Sequence, residues 1–155
     1  MALDRHQLQS QIQSYAARGQ WAQAEQVCQQ LARIAPHHAD THFWAGQVAL
    51  RQRRWQIAYA AFERCLKIDG NRLDAVLDAA TALLQLGRHG ESHALLGSHQ
   101  SQLLSFAGAA FRLGELLSRL GLHAQAMLAY RAANEKQPNA DQIQAALAAC
   151  ATKNG

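Results

Sequence analysis

Residues 19–25 read GQWAQAE and residues 53–59 read RRWQIAY, so a tryptophan followed three residues later by an alanine occurs twice, 34 residues apart. The same step of 34 residues connects four columns: Gly19, Arg53, Gly87 and Gly121; Ala24, Ala58, Ser92 and Ala126; Cys28, Phe62, Leu96 and Tyr130; Pro36, Gly70, Leu104 and Pro138. Self-similarity at a fixed period in this range is the signature of stacked repeats. The first column predicts a turn between two helices, and the second a small residue where the helices approach closely. The third predicts a bulky residue that fills the gap between neighbouring hairpins, and the fourth a break at the end of each unit.

The composition favours helices throughout. Hydrophobic residues make up 49% of the 155-residue chain, and Ala and Leu supply most of them, whereas Val and Ile are few. We predict an all-α protein with helices at about 4–18, 21–34, 38–51, 55–68, 72–86, 89–99, 103–119 and 123–136. These helices form one domain, 1–155, of four repeats at about 5–38, 39–72, 73–106 and 107–140.

The last repeat is predicted to be followed by a capping helix at about 140–151. Asn139 or Asp141 would cap its start, and Ile143, Leu147 and Cys150 would share its apolar face. Stacked repeats need such a helix to cover the apolar side of the last hairpin.

The third repeat departs from the others in its second helix, HGESHALLGSHQ at 89–100. Gly90 and Gly97 each cost a helix interior about 1 kcal/mol relative to alanine. We therefore predict a short or fraying helix here and a looser seam between the third and fourth repeats.

The repeat resembles the tetratricopeptide repeat, whose pattern is W-x2-L-G-x2-Y, then A-x3-F, then P. The residues that carry the resemblance are Leu113, Gly114, Leu117, Ala126, Tyr130 and Pro138 in the fourth unit, Ala45, Gly46, Ala58 and Phe62 in the second, and Tyr15, Ala24 and Pro36 in the first. The leading Trp of the pattern is replaced by Leu8, His42, Val76 and Ala110. The resemblance, over residues 5–138, implies an α-α superhelix of four helical hairpins plus the cap, with the first helix of each hairpin on the concave side.

On such a concave side the first helices present a candidate groove for a peptide or short helix of a partner protein. Its predicted residues are Phe43, Trp44, Gln47, Asp74, Leu77, Asp78, Phe111 and Arg112. Apolar anchors of the partner would enter among the aromatic rings, and its Lys or Arg would meet carboxylates, including Asp40. Alternatively, Trp44 packs within the hairpins in place of the missing Trp, and Asp74 and Asp78 are solvated. Acids in these positions argue against the carboxylate-gripping mode of some tetratricopeptide domains.

Charge and thiol content point away from several classes of protein. The formal net charge is +4, and the basic residues are scattered except for the arginines within 51–54, so we predict no nucleic-acid partner. No apolar run approaches the ~20 residues that span a bilayer, and no signal peptide is evident, so we predict no membrane partner and a cytoplasmic location. Cys28, Cys65 and Cys150 are far apart and are expected to be buried thiols.

No catalytic motif is present in the sequence. It contains no phosphate-binding loop, dinucleotide fingerprint, HExxH or GxSxG. His89 and His93 lie four residues apart and His37, His38 and His42 form a second group, but neither has a Cys or carboxylate at zinc-motif spacing. We therefore predict no enzymatic activity, no cofactor and no metal.

The leading functional hypothesis is a non-enzymatic protein-protein interaction module that binds a partner peptide in the concave groove. One alternative, suggested by the resemblance, is the non-catalytic N-terminal region of a larger bacterial enzyme such as a sulfotransferase or glycosyltransferase. A second is a small secretion chaperone. If the groove is not used, Arg53, Arg54 and Arg64 are the candidates on the convex face.

Overall fold

A computed structural model describes residues 3–154, without the side chain of Asn154. These residues form ten helices joined by turns: α1 (Arg5–Ala17), α2 (Trp21–Ile34), α3 (Ala39–Arg51), α4 (Trp55–Ile68), α5 (Leu73–Gln85), α6 (His89–Ser98), α7 (Gln100–Leu103), α8 (Ala107–Arg119), α9 (His123–Lys136) and α10 (Asp141–Asn154). The predicted all-α class is confirmed, and most predicted helix boundaries lie within one or two residues of the observed ones. The chain divides into two compact units, Met1–Leu86 and Gly87–Gly155.

The first unit is built from two antiparallel hairpins and one further helix. Helix α1 packs on α2, α3 on α4, and α5 on α4, while α2 and α3 join the two hairpins. Asp4 starts α1 with a capping box: its carboxylate accepts a hydrogen bond from the Gln7 N–H at 2.8 Å, and the Gln7 side chain accepts one from the Asp4 N–H at 2.9 Å. Leu8 and Ile12 of this helix lie in the core between the hairpins.

The turn inside each repeat has the same backbone conformation. Gly19, Arg53, Gly87 and Gly121 have φ angles of 70°, 60°, 75° and 80°. A positive φ ends the first helix and sends the chain back as the second, and glycine adopts it without strain. The predicted turn column is thus confirmed at all four positions, with Arg53 the one that lacks glycine's freedom.

Small residues mark the close approach of the helices, as predicted: Ala24, Ala58, Ser92 and Ala126 are all fully buried. A second position makes room for an aromatic ring. A Cβ on Gly46 would lie 2.6 Å from the ring of Phe62, and a Cβ on Gly114 would lie 2.5 Å from the ring of Tyr130. In these two hairpins, therefore, glycine on the first helix accommodates the bulky residue of the second.

The first hairpin inverts this size relation. It carries Ile12 and Cys28 at the two repeat positions that Gly46 and Phe62 occupy in the second hairpin. Both Ile12 and Cys28 are buried in the core of the first unit. A larger first-helix side chain is thus matched by a smaller second-helix one.

The second unit begins with the irregular helix of the third repeat. Helix α6 has 10 residues, whereas α4 and α9 have 14, which confirms the predicted short helix. The break falls at His99, where φ is −118° and ψ is 14°, and the single turn α7 follows. The predicted start of the next helix at residue 103 is wrong. Helix α8 begins at Ala107 because Phe106 is extended, with φ −124° and ψ 133°.

Helices α8 and α9 form the last hairpin, and α10 packs against α9 as the predicted cap. Ile143 and Cys150 on α10 are buried, and Leu147 packs against the core cluster of Ala110, Ala133 and Ile143. The predicted capping residue is wrong, because Asp141 is already the first helical residue and Asn139 has a positive φ of 65°. The residue before the helix is Ala140, whose carbonyl accepts the first helical hydrogen bond.

Candidate functional site

In the first unit, α3 lies between α1 and α5, so these three first helices share a face. Six of the predicted groove residues lie on α3 and α5. Phe43, Leu77 and Asp78 are buried, Trp44 and Gln47 are half-buried, and Asp74 is exposed. The other two, Phe111 and Arg112, lie on α8 of the second unit and are half-buried.

Phe43 is the centre of an aromatic cluster. Its ring centroid lies 5.5 Å from that of Trp44, in an edge-on arrangement, and 6.1 Å from that of Phe62. The Arg72 guanidinium carbon lies 4.1 Å from the centroid of the Phe43 ring, a cation–π geometry that covers it. Phe43 therefore forms the floor of this face, whereas Trp44 keeps part of its indole accessible.

Asp40 connects all three first helices. Its carboxylate accepts a hydrogen bond from Gln9 Nε2 of α1 at 3.1 Å, forms an ion pair with Arg72 just before α5, and lies 3.5 Å from Arg5 Nη1. Partial burial by itself would raise the pKa of Asp40. The hydrogen bonds from Arg72 and Gln9, together with the charges of Arg72 and His38, outweigh it and hold this pKa below its ordinary value.

The other two carboxylates of this face are also engaged by the chain itself. Arg72 Nε donates to Asp74 Oδ1 at 3.2 Å, and Gln47 Nε2 donates to Asp78 Oδ2. All three carboxylates therefore accept hydrogen bonds from within the chain, and those of Asp40 and Asp78 connect neighbouring first helices. A basic group of a partner would have to compete with these donors.

A cleft lies between Trp44, at mid-length on α3, and Arg51 at the end of this helix. Its walls come from the end of α1, the start of α2 and the second half of α3, and it encloses about 370 Å³. The lining residues are Ala16, Trp21, Trp44, Gln47, Val48 and Arg51. Within residues 3–154, Arg51 has no ion-pair partner, so the cleft combines two indole rings with a free positive charge.

A smaller cavity of about 180 Å³ lies between α2, α3 and α4. Glu25 and Arg54 form an ion pair of 2.8 Å at its edge, and the hydrogen bonds from Arg54 and then Gln52 lower the pKa of Glu25. Cys28 also lines it, but burial, followed by the charge of Glu25, raises the pKa of its thiol to about 12. This thiol is therefore not a nucleophile at neutral pH. Of the arginines predicted for the convex face, Arg54 is thus already paired.

The histidines make local contacts. Arg5 Nη1 lies 2.6 Å from His38 Nε2, and His42 Nε2 lies 2.8 Å from the carbonyl oxygen of Pro36. In the part of the chain that the structure describes, no three His, Cys, Asp or Glu side chains are placed to share a metal ion. No helix of the described residues has the length and apolar character needed to cross a bilayer.

The 34-residue columns of the first helices did not place Trp21, Arg51 or Arg72 among the predicted groove residues. The observed contacts between first helices follow a different interval: Gln9 reaches Asp40 and Gln47 reaches Asp78 across 31 residues. The interval of 31 residues is three residues shorter than the repeat, and three residues are almost one helical turn. Each side chain therefore contacts the neighbouring first helix one turn before its equivalent position in the repeat. Pairs of polar residues 31 apart were therefore the signal for this network.

Comparison with protein families gives two matches. The model described as Anaphase-promoting complex, cyclosome, subunit 3 matches residues 12–99, and a model described as Tetratricopeptide repeat matches residues 107–139. Together they cover most of both units. No curated protein matches the chain by sequence.

Several solved structures share the fold. TTC0263 of Thermus thermophilus aligns with a TM-score of 0.83 at 15% identity, over 96% of this chain and 82% of that one. MamA of Desulfovibrio magneticus RS-1 gives 0.79 at 17% identity, over 99% and 87%. YrrB, described as a TPR protein with an unusual peptide-binding site, gives 0.72 at 15% identity, over 92% and 73%. These matches confirm the predicted α-α superhelical fold class.

Proposed function

Because this chain belongs to the tetratricopeptide repeat family, we propose that it is a non-enzymatic scaffold that binds an extended segment of a partner protein along its first helices. The observation that carries the proposal is the accessible indole of Trp44 beside a cleft of about 370 Å³. Tryptophan in such a depression is the kind of residue on which binding energy concentrates. The peptide-binding site described for YrrB, a protein of the same fold, supports the same use of this chain.

The polar network of the first unit gives this face a fixed shape before a partner arrives. Asp40 joins α1, α3 and the turn before α5, and the Gln47–Asp78 bond joins α3 to α5 a further two turns along. A preformed surface loses little conformational entropy on binding, so more of the contact energy becomes affinity.

The candidate residues have different roles in this proposal. Trp44 is the proposed contact residue of the face; the ring of Phe43 packs against it edge-on, and Leu77 is buried in α5. Gln47 and Asp74 provide polar edges. In the second unit, Phe111 and Arg112 are the proposed contact residues of α8.

Selection from a random peptide library on the immobilised protein, followed by two-dimensional NMR with the selected peptides, tests the proposal. We expect amide shifts to concentrate on α1, α3 and α5, and the Trp44→Ala variant to lose at least about tenfold in affinity. Trp55→Ala is the matched control, because Trp55 at the start of α4 lines none of the clefts described above. Shifts confined to α2 and α4, or equal binding by Trp44→Ala, would refute the proposed face.

A further inference from the structure

We propose that the cleft between Trp21 and Trp44 selects an acidic partner segment, in which a large apolar side chain is flanked by Asp or Glu. This inference rests on the proposed function and adds the chemistry of the partner. It also reverses the sequence-based expectation of a basic partner.

The shape of the cleft suits one large apolar side chain. Trp21 is the first residue of α2, Trp44 lies at mid-length on α3, and Ala16 and Val48 contribute apolar surface between them. The volume of about 370 Å³ lies within the range of small ligand sites. Indole rings contribute large contact areas with little loss of conformational freedom, so an aromatic or long aliphatic side chain is the best occupant.

The one charged residue that lines the cleft, Arg51, is positive. It is the last residue of α3; Arg18 directly follows α1, and Arg53 lies two residues beyond the end of α3. None of the three forms an ion pair within residues 3–154, and the only polar side-chain contact of Arg18 there is a hydrogen bond to Ser14. A carboxylate beside the apolar anchor would therefore meet an uncompensated guanidinium, which can bind it through two parallel hydrogen bonds.

The acids nearby do not offset this preference. Asp40 and Asp74 are paired with Arg72, and Asp78 accepts a bond from Gln47. A partner Lys or Arg would have to displace Arg72, which also covers the ring of Phe43, and would leave that arginine without its partners. The available, unpaired charge on this part of the first unit is thus cationic.

Three synthetic peptides test the charge preference directly. The first is Gly-Ser-Asp-Glu-Phe-Asp-Glu-Gly-Ser, the second has Lys at every acidic position, and the third has Ala in place of Phe. The chain contains three tryptophans, at 21, 44 and 55, so the indole N–H signals form a small and readily assigned set. We expect the acidic Phe peptide to shift the signals of Trp21 and Trp44 and not that of Trp55, with the other two binding at least about tenfold more weakly.

Charge variants of the protein complete the experiment. Arg51→Glu should weaken the acidic Phe peptide by at least about tenfold, and Arg51→Gln by less, because it removes the charge without reversing it. Arg64→Glu on α4 makes the same charge change away from the cleft and should change the affinity by less than about twofold. The circular dichroism of each variant establishes that it is folded.

The outcomes separate this inference from the proposed function. Equal or tighter binding of the Lys peptide at Trp21 and Trp44, or equal loss from Arg51→Glu and Arg64→Glu, would overturn the acidic preference and leave peptide binding on this face intact. Absence of shifts with all three peptides would overturn the inference as well. The proposed function fails if library-selected peptides also avoid the first helices or bind Trp44→Ala as tightly as the unmodified protein.

Discussion

Replacement of Gly46 by alanine should destabilise the first unit by roughly 2 kcal/mol. A Cβ at this position would lie 2.6 Å from Cε1 of Phe62 and 2.8 Å from its Cδ1 and Cζ, and Phe62 is fully buried, so its ring has no free space to enter. Overpacking a core costs about 1–3 kcal/mol, and contacts this short with a rigid ring belong at the upper end. Alanine regains about 1 kcal/mol of helix propensity, which leaves roughly 2 kcal/mol.

A second substitution should relieve the strain. Phe62→Leu alone costs about 1–2 kcal/mol of lost burial, but leucine lacks the outer ring atoms that a Cβ on residue 46 would meet. The chain itself carries Ala80 and Leu96 at the same two positions of the next repeat. We therefore expect the double variant to be at least about 1 kcal/mol more stable than the sum of the single effects predicts.

Urea unfolding followed by tryptophan fluorescence measures these effects. Trp21, Trp44 and Trp55 all lie in the first unit, so the signal reports on that unit. Gly46→Ala should lower the midpoint by roughly 1–2 M urea. Gly97→Ala in α6 is the control, because its Cβ would have no neighbour within 4 Å and it lies in the second unit, so it should leave the midpoint reported by the tryptophans unchanged. A neutral or stabilising Gly46→Ala, or strictly additive effects in the double variant, would refute the packing argument.

Three further predictions concern the turn, the carboxylate network and the thiols. Arg53→Gly should stabilise the protein by about 0.5 kcal/mol, because the relief of the positive φ of 60° exceeds the cost of a more flexible unfolded chain. Gly121→Ala should destabilise it by about 1 kcal/mol, because alanine is strained at a positive φ. The urea midpoints of both variants test these two effects. Because the pKa of Asp40 is lowered in the folded protein, its contribution to stability is complete above the ordinary value of 3.8 and is lost as the pH falls through the lower folded value. In Asp40→Asn, the free energy of unfolding should therefore fall less steeply as the pH is lowered through this range. Burial raises the pKa of Cys28 to about 12 and of Cys65 to about 11, so mass spectrometry should find both unmodified after brief iodoacetamide treatment at pH 8 and alkylated once urea is added.

Which of the predicted groove residues are exposed depends on contacts between residues that are far apart in the sequence. The repeat placed Phe43 and Trp44 on the same short stretch of a first helix, but gave no means of telling which ring would be covered. Phe43 is covered because Phe62 and Arg72 lie against it, and these residues are 19 and 29 positions further along the chain. Likewise, Asp74 and Asp78 were open to a partner or to solvent by sequence, and the structure pairs them with Arg72 and Gln47.

The sequence by itself determined the period, the hairpins and their turns, because each depends on local backbone preference and on residue size at a fixed spacing. Gly19 and Gly121 have a positive φ wherever such a hairpin is formed, and Ala24 must be small wherever two helices touch. The tertiary structure alone decided which side chains remain available, because a first helix meets its neighbour almost one turn out of register with the repeat. That offset pairs Gln9 with Asp40 and Gln47 with Asp78, while the packing of α1, α2 and α3 leaves Trp44 and Arg51 facing the cleft.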